Sequence, residues 1–271
     1  MLIALHPNPY SCRKHSAGKV STRLRLLFLG SGGSAVSAKR ACPSILLDES
    51  TLIDIGPGSL RNLRISGVNP SRIRRILISH LHADHISDLI PFLWAVQIDG
   101  RQEELAIFGP PGFKETFQVL QEYTRTPTNF FKFPLTAHEL DFGAKIENVS
   151  TCATIHSIPT LAFRVDSESG SSFCYSADTT YCPQVAKLAR AADLFVHEAT
   201  FLEDQVEIAK LTRHSTASVA GQVGHEANAK QLVLFHVPPP NDHREEEFRE
   251  QASKSFGNKV TVANDMDHFE F

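Results

Sequence analysis

The chain has 271 residues and a formal charge of −3, with 42% hydrophobic and 21% charged residues. That balance predicts a compact soluble protein with one sizeable core and gives no overall attraction to nucleic acid. No apolar run approaches the roughly 18 residues of a membrane-spanning helix, which argues against a membrane protein. The five cysteines (Cys12, Cys42, Cys152, Cys174 and Cys182) are odd in number and form no C-x-x-C pair. Reduced thiols in a cytoplasmic protein are therefore expected, rather than a disulfide framework or a cysteine zinc site. Residues 1–23 carry Arg13, Lys14, His15, Lys19 and Arg23 without an apolar segment, so they read as a partly disordered leader, not a secretory signal. A single domain is expected over 24–271.

In chain order, RLRLLFLG (23–30) and SILLDESTLIDIG (44–56) read as strands, and PGSLRNLRISG (57–67) as a helix ending on glycine. RRILIS (74–79) is a short apolar strand. ADHISDLIPFLWAV (83–96) is a strongly apolar helix with an interruption expected at Pro91. ELAIFGP is a strand, GFKETFQVLQEY a helix, and 135–177 contains several short strands. The last third alternates: helix 183–191, strand DLFVHE, helix TASVAGQVGHE, strand KQLVLFHV, helix REEEFREQASKSF and strand KVTVA. Two successive halves of this kind predict two sheets with helices on their outer faces.

Between the strand at 74–79 and the helix that follows lies SHLHADH, which places His80, His82, Asp84 and His85 within six positions. Neutral imidazoles and carboxylates suit zinc and similar ions. In an extended segment residues i and i+2 face the same way, so His80 and His82 can share one ion. A turn into a helix at Asp84 would aim Asp84 and His85 at a neighbouring position, so the spacing predicts two metal positions. A lone histidine on a loop would be an ordinary surface residue; four ligand types directly after an apolar strand are not.

H-x-H-x-D-H after a strand, preceded by LIDIG, resembles the metallo-β-lactamase superfamily. IHSIP (155–159), YSADTTY (175–181), LFVHEATF (194–201), RHSTASVA (213–220), LVLFHV (232–237) and VTVANDM (260–266) are similar, in order, to motifs of its ribonuclease Z branch. The resemblance runs from about Leu26 to the end of the chain. It implies an α/β fold, an αββα four-layer sandwich, and two divalent metal ions: zinc first, with manganese or iron also suited to such ligands. It assigns His80, His82 and His156 to one ion, Asp84, His85 and His236 to the other, and Asp178 to both. It further implies a metal-bridging hydroxide oriented by Asp84, and His214 as proton donor supported by Glu198. Asp54 would hold the histidine loop, though capping the helix at Pro57 is an equal reading of the residue itself. His197 should point away as a structural residue, and His138, His225, His243 and His268 match no motif and read as surface residues.

The activity implied is that of a phosphodiesterase of the ribonuclease Z type, acting on RNA 3′ ends such as tRNA or on a smaller phosphodiester. Two departures separate this chain from that branch. Only 21 residues lie between His156 and Asp178, too few for the branch's tRNA-gripping arm, and VPPPN follows His236 where serines and an Arg-Tyr pair are typical. A lactonase, an arylsulfatase or a cyclic-nucleotide phosphodiesterase therefore stands as the alternative. GSGGS (30–34) lacks the Lys-Ser/Thr of a phosphate loop and reads as a tight turn near the site. NFFKF (129–133) is either an aromatic lip or a set of phenylalanines folded onto the core. ISDLIPFLWAV (86–96) is either a buried helix or part of a homodimer contact. Arg72, Arg74 and Arg75 begin the strand that the histidines follow, so they should face away from the chemistry.

Overall fold

The computed structural model describes residues 23–127 and 129–271; apart from Arg23, the expected leader lies outside these residues. Fourteen strands form among them, in two sheets of seven. The first sheet contains β1 (Arg25–Gly30), β2 (Ser44–Leu47), β3 (Thr51–Ile53), β4 (Arg75–Leu77), β5 (Leu105–Gly109) and β6 (Leu135–Glu139). The second contains β7 (Lys145–Ile146), β8 (Val149–Ala153), β9 (Leu161–Asp166), β10 (Ser172–Tyr175), β11 (Leu194–Glu198), β12 (Leu232–Phe235) and β13 (Val260–Val262). The C-terminal β14 (His268–Glu270) returns to the first sheet and pairs antiparallel with β1. In each sheet one half is antiparallel and the other parallel. The parallel runs are β3–β6 and β10–β13.

Alternating side chains explain the layering, because a strand presents successive residues to opposite faces. Phe28, Ile53, Phe163, Phe173, Tyr175 and Phe235 point between the sheets and form the inner core. The opposite face of the first sheet, with Leu29, Ile76 and Ile107, packs on α1 (Ser59–Ile65), α2 (Ala83–Ile86), α3 (Leu89–Ile98) and α4 (Phe113–Tyr123). The opposite face of the second, with Cys174, Phe195 and Leu234, packs on α5 (Pro183–Leu188), α7 (Ala217–Glu226) and α8 (Glu245–Phe256). A further helix, α6 (Val206–Thr212), precedes α7 at the edge of the molecule. The result is the expected αββα sandwich. Each fully buried Phe contributes about 1.5–3 kcal/mol by leaving water.

Three local expectations change. SILLDESTLIDIG folds back as the β2–β3 hairpin, because Asp48 and Glu49 adopt left-handed φ of 48° and 54° and Asp48 accepts a hydrogen bond from Arg25 N. The break in the apolar helix falls at Ser87–Asp88 and not at Pro91, which lies in the first turn of α3 where a missing N–H costs nothing. Asp88 makes the break, its carboxylate accepting from Gly58 N and Leu60 N while its own N–H bonds Ile55 O. The α6 helix and the edge strand β14 had no counterpart in the sequence reading.

Candidate active site

The parallel strands β3, β4, β10, β11 and β12 end at one edge of the sandwich, and Asp54, His80, Asp178, Glu198 and His236 all lie at or just beyond those ends. After β4 the chain stays extended through His82 (φ −67°, ψ 149°) and enters α2 at Ala83. Asp84 and His85 therefore sit in a helical turn, where the His85 ring lies 4.0 Å from that of His80 while Asp84 reaches toward His236. His236 follows β12 with φ 68°, a left-handed turn that is uncommon for histidine and that aims its ring over the edge.

Three groups of potential ligand atoms result, each with all its atoms within 4.8 Å of one another. One is Glu198, His214 and His236. The other two share a carboxylate, with His80, His82, His156 and Asp178 in one and Asp84, His85, Asp178 and His236 in the other. Asp178 belongs to both. Its Oδ2 lies 3.5 Å from the Nε2 atoms of His80, His85 and His236, and 3.9 Å from His156 Nε2. His80 Nε2 and His156 Nε2 approach His82 Nδ1 at 3.0 and 3.2 Å, so the nitrogens converge rather than face solvent. His236 Nε2 stands 3.3 Å from Asp84 Oδ2 and 3.4 Å from His85 Nε2.

Electrostatics favour a cation here. Burial pushes the pKa of His80 well below its ordinary value and lowers those of His82 and His156, which keeps these rings neutral and able to donate a lone pair. Burial opposes ionisation of Asp178, yet His236, His85 and His80 outweigh it and hold the carboxyl well below the usual range. His85 behaves oppositely to its neighbours: burial disfavours its charge, but Asp178 and Asp54 draw a proton onto it. Divalent cations bound to the same set would supply that charge and leave the rings neutral. The residues fit such ions in two further respects. The donors are all imidazole and carboxylate, and Asp178 Oδ1 is buried without a hydrogen-bond partner among the described residues.

Around these groups lies a supporting layer. Asp54, itself in a left-handed conformation (φ 56°), accepts from Ser79 N and Ser79 Oγ at 2.7 and 2.8 Å and from the Tyr175 hydroxyl at 3.1 Å. Its Oδ2 also meets His85 Nδ1 at 2.8 Å. It thus holds the histidine loop; the helix at 59–65 is preceded by Gly58 and has no side-chain cap. Glu198 is fully buried, and it accepts five hydrogen bonds, three of them from residues 16–19 positions away. Oε1 receives Thr179 N, Ser215 N and His214 Nδ1 at 2.9–3.1 Å, and Oε2 receives Thr200 N and Oγ1 at 2.9–3.0 Å. Because the Thr200 hydroxyl donates to Glu198, it accepts from His236 Nδ1–H at 2.9 Å, which leaves His236 Nε2 free for a ligand role. Burial works against a charged His214, but Glu198 outweighs it and pushes the pKa up to about 9.

The sites expected from sequence thus come together: His80, His82, Asp84, His85, His156, Asp178 and His236 around one carboxylate, with the Glu198–His214 pair beside them. His214 and Asp178 face a cleft of about 610 Å³, whose rim includes Ser34 from the GSGGS turn and the 83%-exposed Leu211. His197 is buried beside Phe195 and donates from Nδ1 to the Glu198 carbonyl, pointing away from the cleft. His138, His225, His243 and His268 are exposed. The aromatic segment forms no lip: Phe133 is buried in the first-sheet core, Phe130 stacks on Trp94, and none of these rings lines the cleft. The arginines of 72–75 stand at the start of β4, away from the histidines, where Arg72 pairs with Glu49 and Arg75 with Glu147. Sequence reasoning missed Ser79, Tyr175, Thr200 and Arg213. Their signals are adjacency, Ser79 beside His80, and membership of the motifs YSADTTY, LFVHEATF and RHSTASVA, which contain Tyr175, Thr200 and Arg213.

The pattern of the beta-lactamase superfamily domain matches residues 50–237. A ribonuclease Z from Acaryochloris marina is 28% identical, covering 80% of this chain and 86% of the relative. The metallo-beta-lactamase fold protein YhfI from Bacillus subtilis superposes with a TM-score of 0.80 at 24% identity, covering 92% of this chain and 100% of that one. The human short-form tRNase Z superposes with a TM-score of 0.75 at 25% identity, covering 90% and 98%. With the family pattern spanning most of the chain and both sheets arranged as described, the chain belongs to the beta-lactamase superfamily.

Proposed function

We propose that this protein is a dinuclear metal-dependent phosphodiesterase of the ribonuclease Z type. The observation that carries the reading is the 2.9 Å contact between His214 Nδ1 and Glu198 Oε1, beside two ligand groups that share Asp178. His80, His82 and His156 would hold one ion and Asp84, His85 and His236 the other, with Asp178 serving both. Zinc suits this donor set first, and manganese and iron also fit it. Such ions supply Lewis-acid polarisation of a phosphoryl oxygen and lower the pKa of a water.

The chain's own residues do the rest. Glu198 accepts from five donors and cannot turn, so it fixes His214 with Nδ1 inward and leaves Nε2 toward the cleft. From there His214 gives a proton to the departing oxygen. Asp84, at the mouth of the second group, orients the attacking group.

Two observations favour a small or single-stranded phosphodiester over a folded tRNA. The His156–Asp178 connection is short. The alignment to the Acaryochloris marina ribonuclease Z runs over 274 positions while taking in only 80% of this chain, so that relative carries insertions absent here. The rim of phenylalanines that would have favoured another ester class is not found at 129–133, none of whose rings lines the cleft.

No helix among the described residues is long and apolar enough to cross a membrane, and the free cysteines Cys42, Cys152, Cys174 and Cys182 fit a cytoplasmic protein. For a homodimer, Leu89, Ile90, Phe92, Leu93 and Val96 are buried in the chain's own core, which leaves Ile98 and half-buried Trp94 for a partner. Light scattering decides it. The functional test is a panel on metal-loaded protein: precursor tRNA with a 3′ trailer, bis(p-nitrophenyl) phosphate, cyclic nucleotides and a lactone. Cleavage of the phosphodiesters is expected, and cleavage of the lactone alone would overturn the reading.

A further inference from the structure

Arg213 is the only arginine or lysine among the described residues that line the cleft. It ends α6 with φ 58°, a left-handed conformation uncommon for an arginine, and a reciprocal pair of hydrogen bonds keeps it there. Its carbonyl accepts from His156 Nδ1 at 3.1 Å, and its Nη1 donates to the His156 carbonyl at 2.9 Å. The first bond sets the His156 tautomer and leaves Nε2 for its ligand role. The second anchors one guanidinium nitrogen, while Nε and Nη2 meet no acceptor among the described residues. The side chain is exposed, whereas His156 and Asp178 behind it are buried.

A guanidinium fork with two idle donors and no carboxylate partner is a phosphate receptor by its chemistry. Its position decides which phosphate. The Arg213 guanidinium holds the main chain of His156, and only the Arg213 carbonyl meets the ring, so the guanidinium stands at the rim, outside the atoms that converge on Asp178. The scissile group belongs among those inner atoms and His214.

We propose that Arg213 forms a second anion subsite, which takes a phosphate of the substrate next to the scissile phosphodiester. This rests on the phosphodiesterase reading and narrows it: the favoured substrates carry a second phosphate within one nucleotide of the bond cleaved. Recognition then comes from the cleft itself, in a chain whose formal net charge is −3.

The test is calorimetric titration of the metal-loaded protein with thymidine 3′,5′-bisphosphate and with thymidine 5′-monophosphate. The unaltered protein should prefer the bisphosphate by roughly tenfold or more, the usual worth of a charged hydrogen bond. Arg213→Gln keeps a donor for the His156 carbonyl but removes the charge, and should abolish the preference. Arg213→Lys should keep most of it. No preference in the unaltered protein, or the same preference in Arg213→Gln, would overturn the subsite. Hydrolysis of bis(p-nitrophenyl) phosphate is measured in parallel. A bisphosphate preference that depends on Arg213, without any hydrolysis, would support the subsite and fault the phosphodiesterase reading.

Discussion

Asp54 Oδ2 and His85 Nδ1 lie 2.8 Å apart, and the same oxygen accepts the Tyr175 hydroxyl at 3.1 Å from the opposite sheet. One carboxylate therefore orients a ligand ring and ties the two sheets together beneath it. Partners of this kind, standing behind metal ligands, are worth about 10–100-fold in metal affinity. Asp54→Asn should lower zinc affinity by that order while keeping the fold, because asparagine tolerates the left-handed φ of 56°. Competition with a chromophoric chelator measures it. Unchanged affinity would reduce Asp54 to a structural tie.

His214→Ala should retain bound metal, since the ring lies outside the two groups that share Asp178. Turnover should fall by about 10²–10⁴-fold on a substrate whose leaving alkoxide needs a proton. The loss should shrink with p-nitrophenolate, which leaves without one. Glu198→Gln should follow the same pattern, because it removes the charge that raises the His214 pKa to about 9. An equal loss on both leaving groups would exclude His214 as the proton donor.

The candidate ligands were legible in the sequence because His80, His82, Asp84 and His85 cluster just after β4, while Asp178, Glu198 and His236 end β10, β11 and β12, and these parallel strands end at one edge. His214, which follows α6, was legible only through its motif. What was not legible depends on contacts between distant segments. Tyr175 reads as one more core aromatic until Asp54 is found opposite its hydroxyl. Arg213 opens RHSTASVA, but nothing in that motif shows its conformation, which is set by His156, 57 positions away. The sequence points to Pro91 for the helix break that falls at Ser87–Asp88, since proline is visible locally and the pairing of Asp88 with Gly58 and Leu60 is not.

Gly56 shows how closely the ligand helix is packed. A Cβ at this position would lie 1.8 Å from the main-chain oxygen of Asp84, which cannot swing aside as a side chain would. Gly56→Ala should therefore displace the turn bearing Asp84 and His85. Overpacking of this sort costs about 1–3 kcal/mol or more, and the second ion should be lost before the first. Metal analysis and thermal melting of the purified variant measure both effects. Two equivalents of metal and an unchanged melting point would show that the turn is softer than its packing implies.

His197 gives the protein an acid sensitivity independent of the site. Its ring is buried with Nδ1 donating to the Glu198 carbonyl at 2.7 Å, and Nε2 has no partner among the described residues. Burial holds its pKa below the ordinary 6.5. As pH falls below about 6.5 the unfolded chain takes up a proton that the folded chain refuses, so stability declines toward the lower folded pKa; above about 6.5 both states are neutral and the residue adds no slope. His197→Asn keeps a donor for the carbonyl and removes the titration. It should be less stable than the unaltered protein at pH 8, where it leaves a small cavity, and the gap should narrow below pH 6.5 by up to about 1.4 kcal/mol per pH unit. Urea unfolding of chelator-treated protein from pH 5 to 8 measures the gap free of ligand protonation coupled to metal release. A gap constant across that range would mean that His197 gains its proton without leaving the fold.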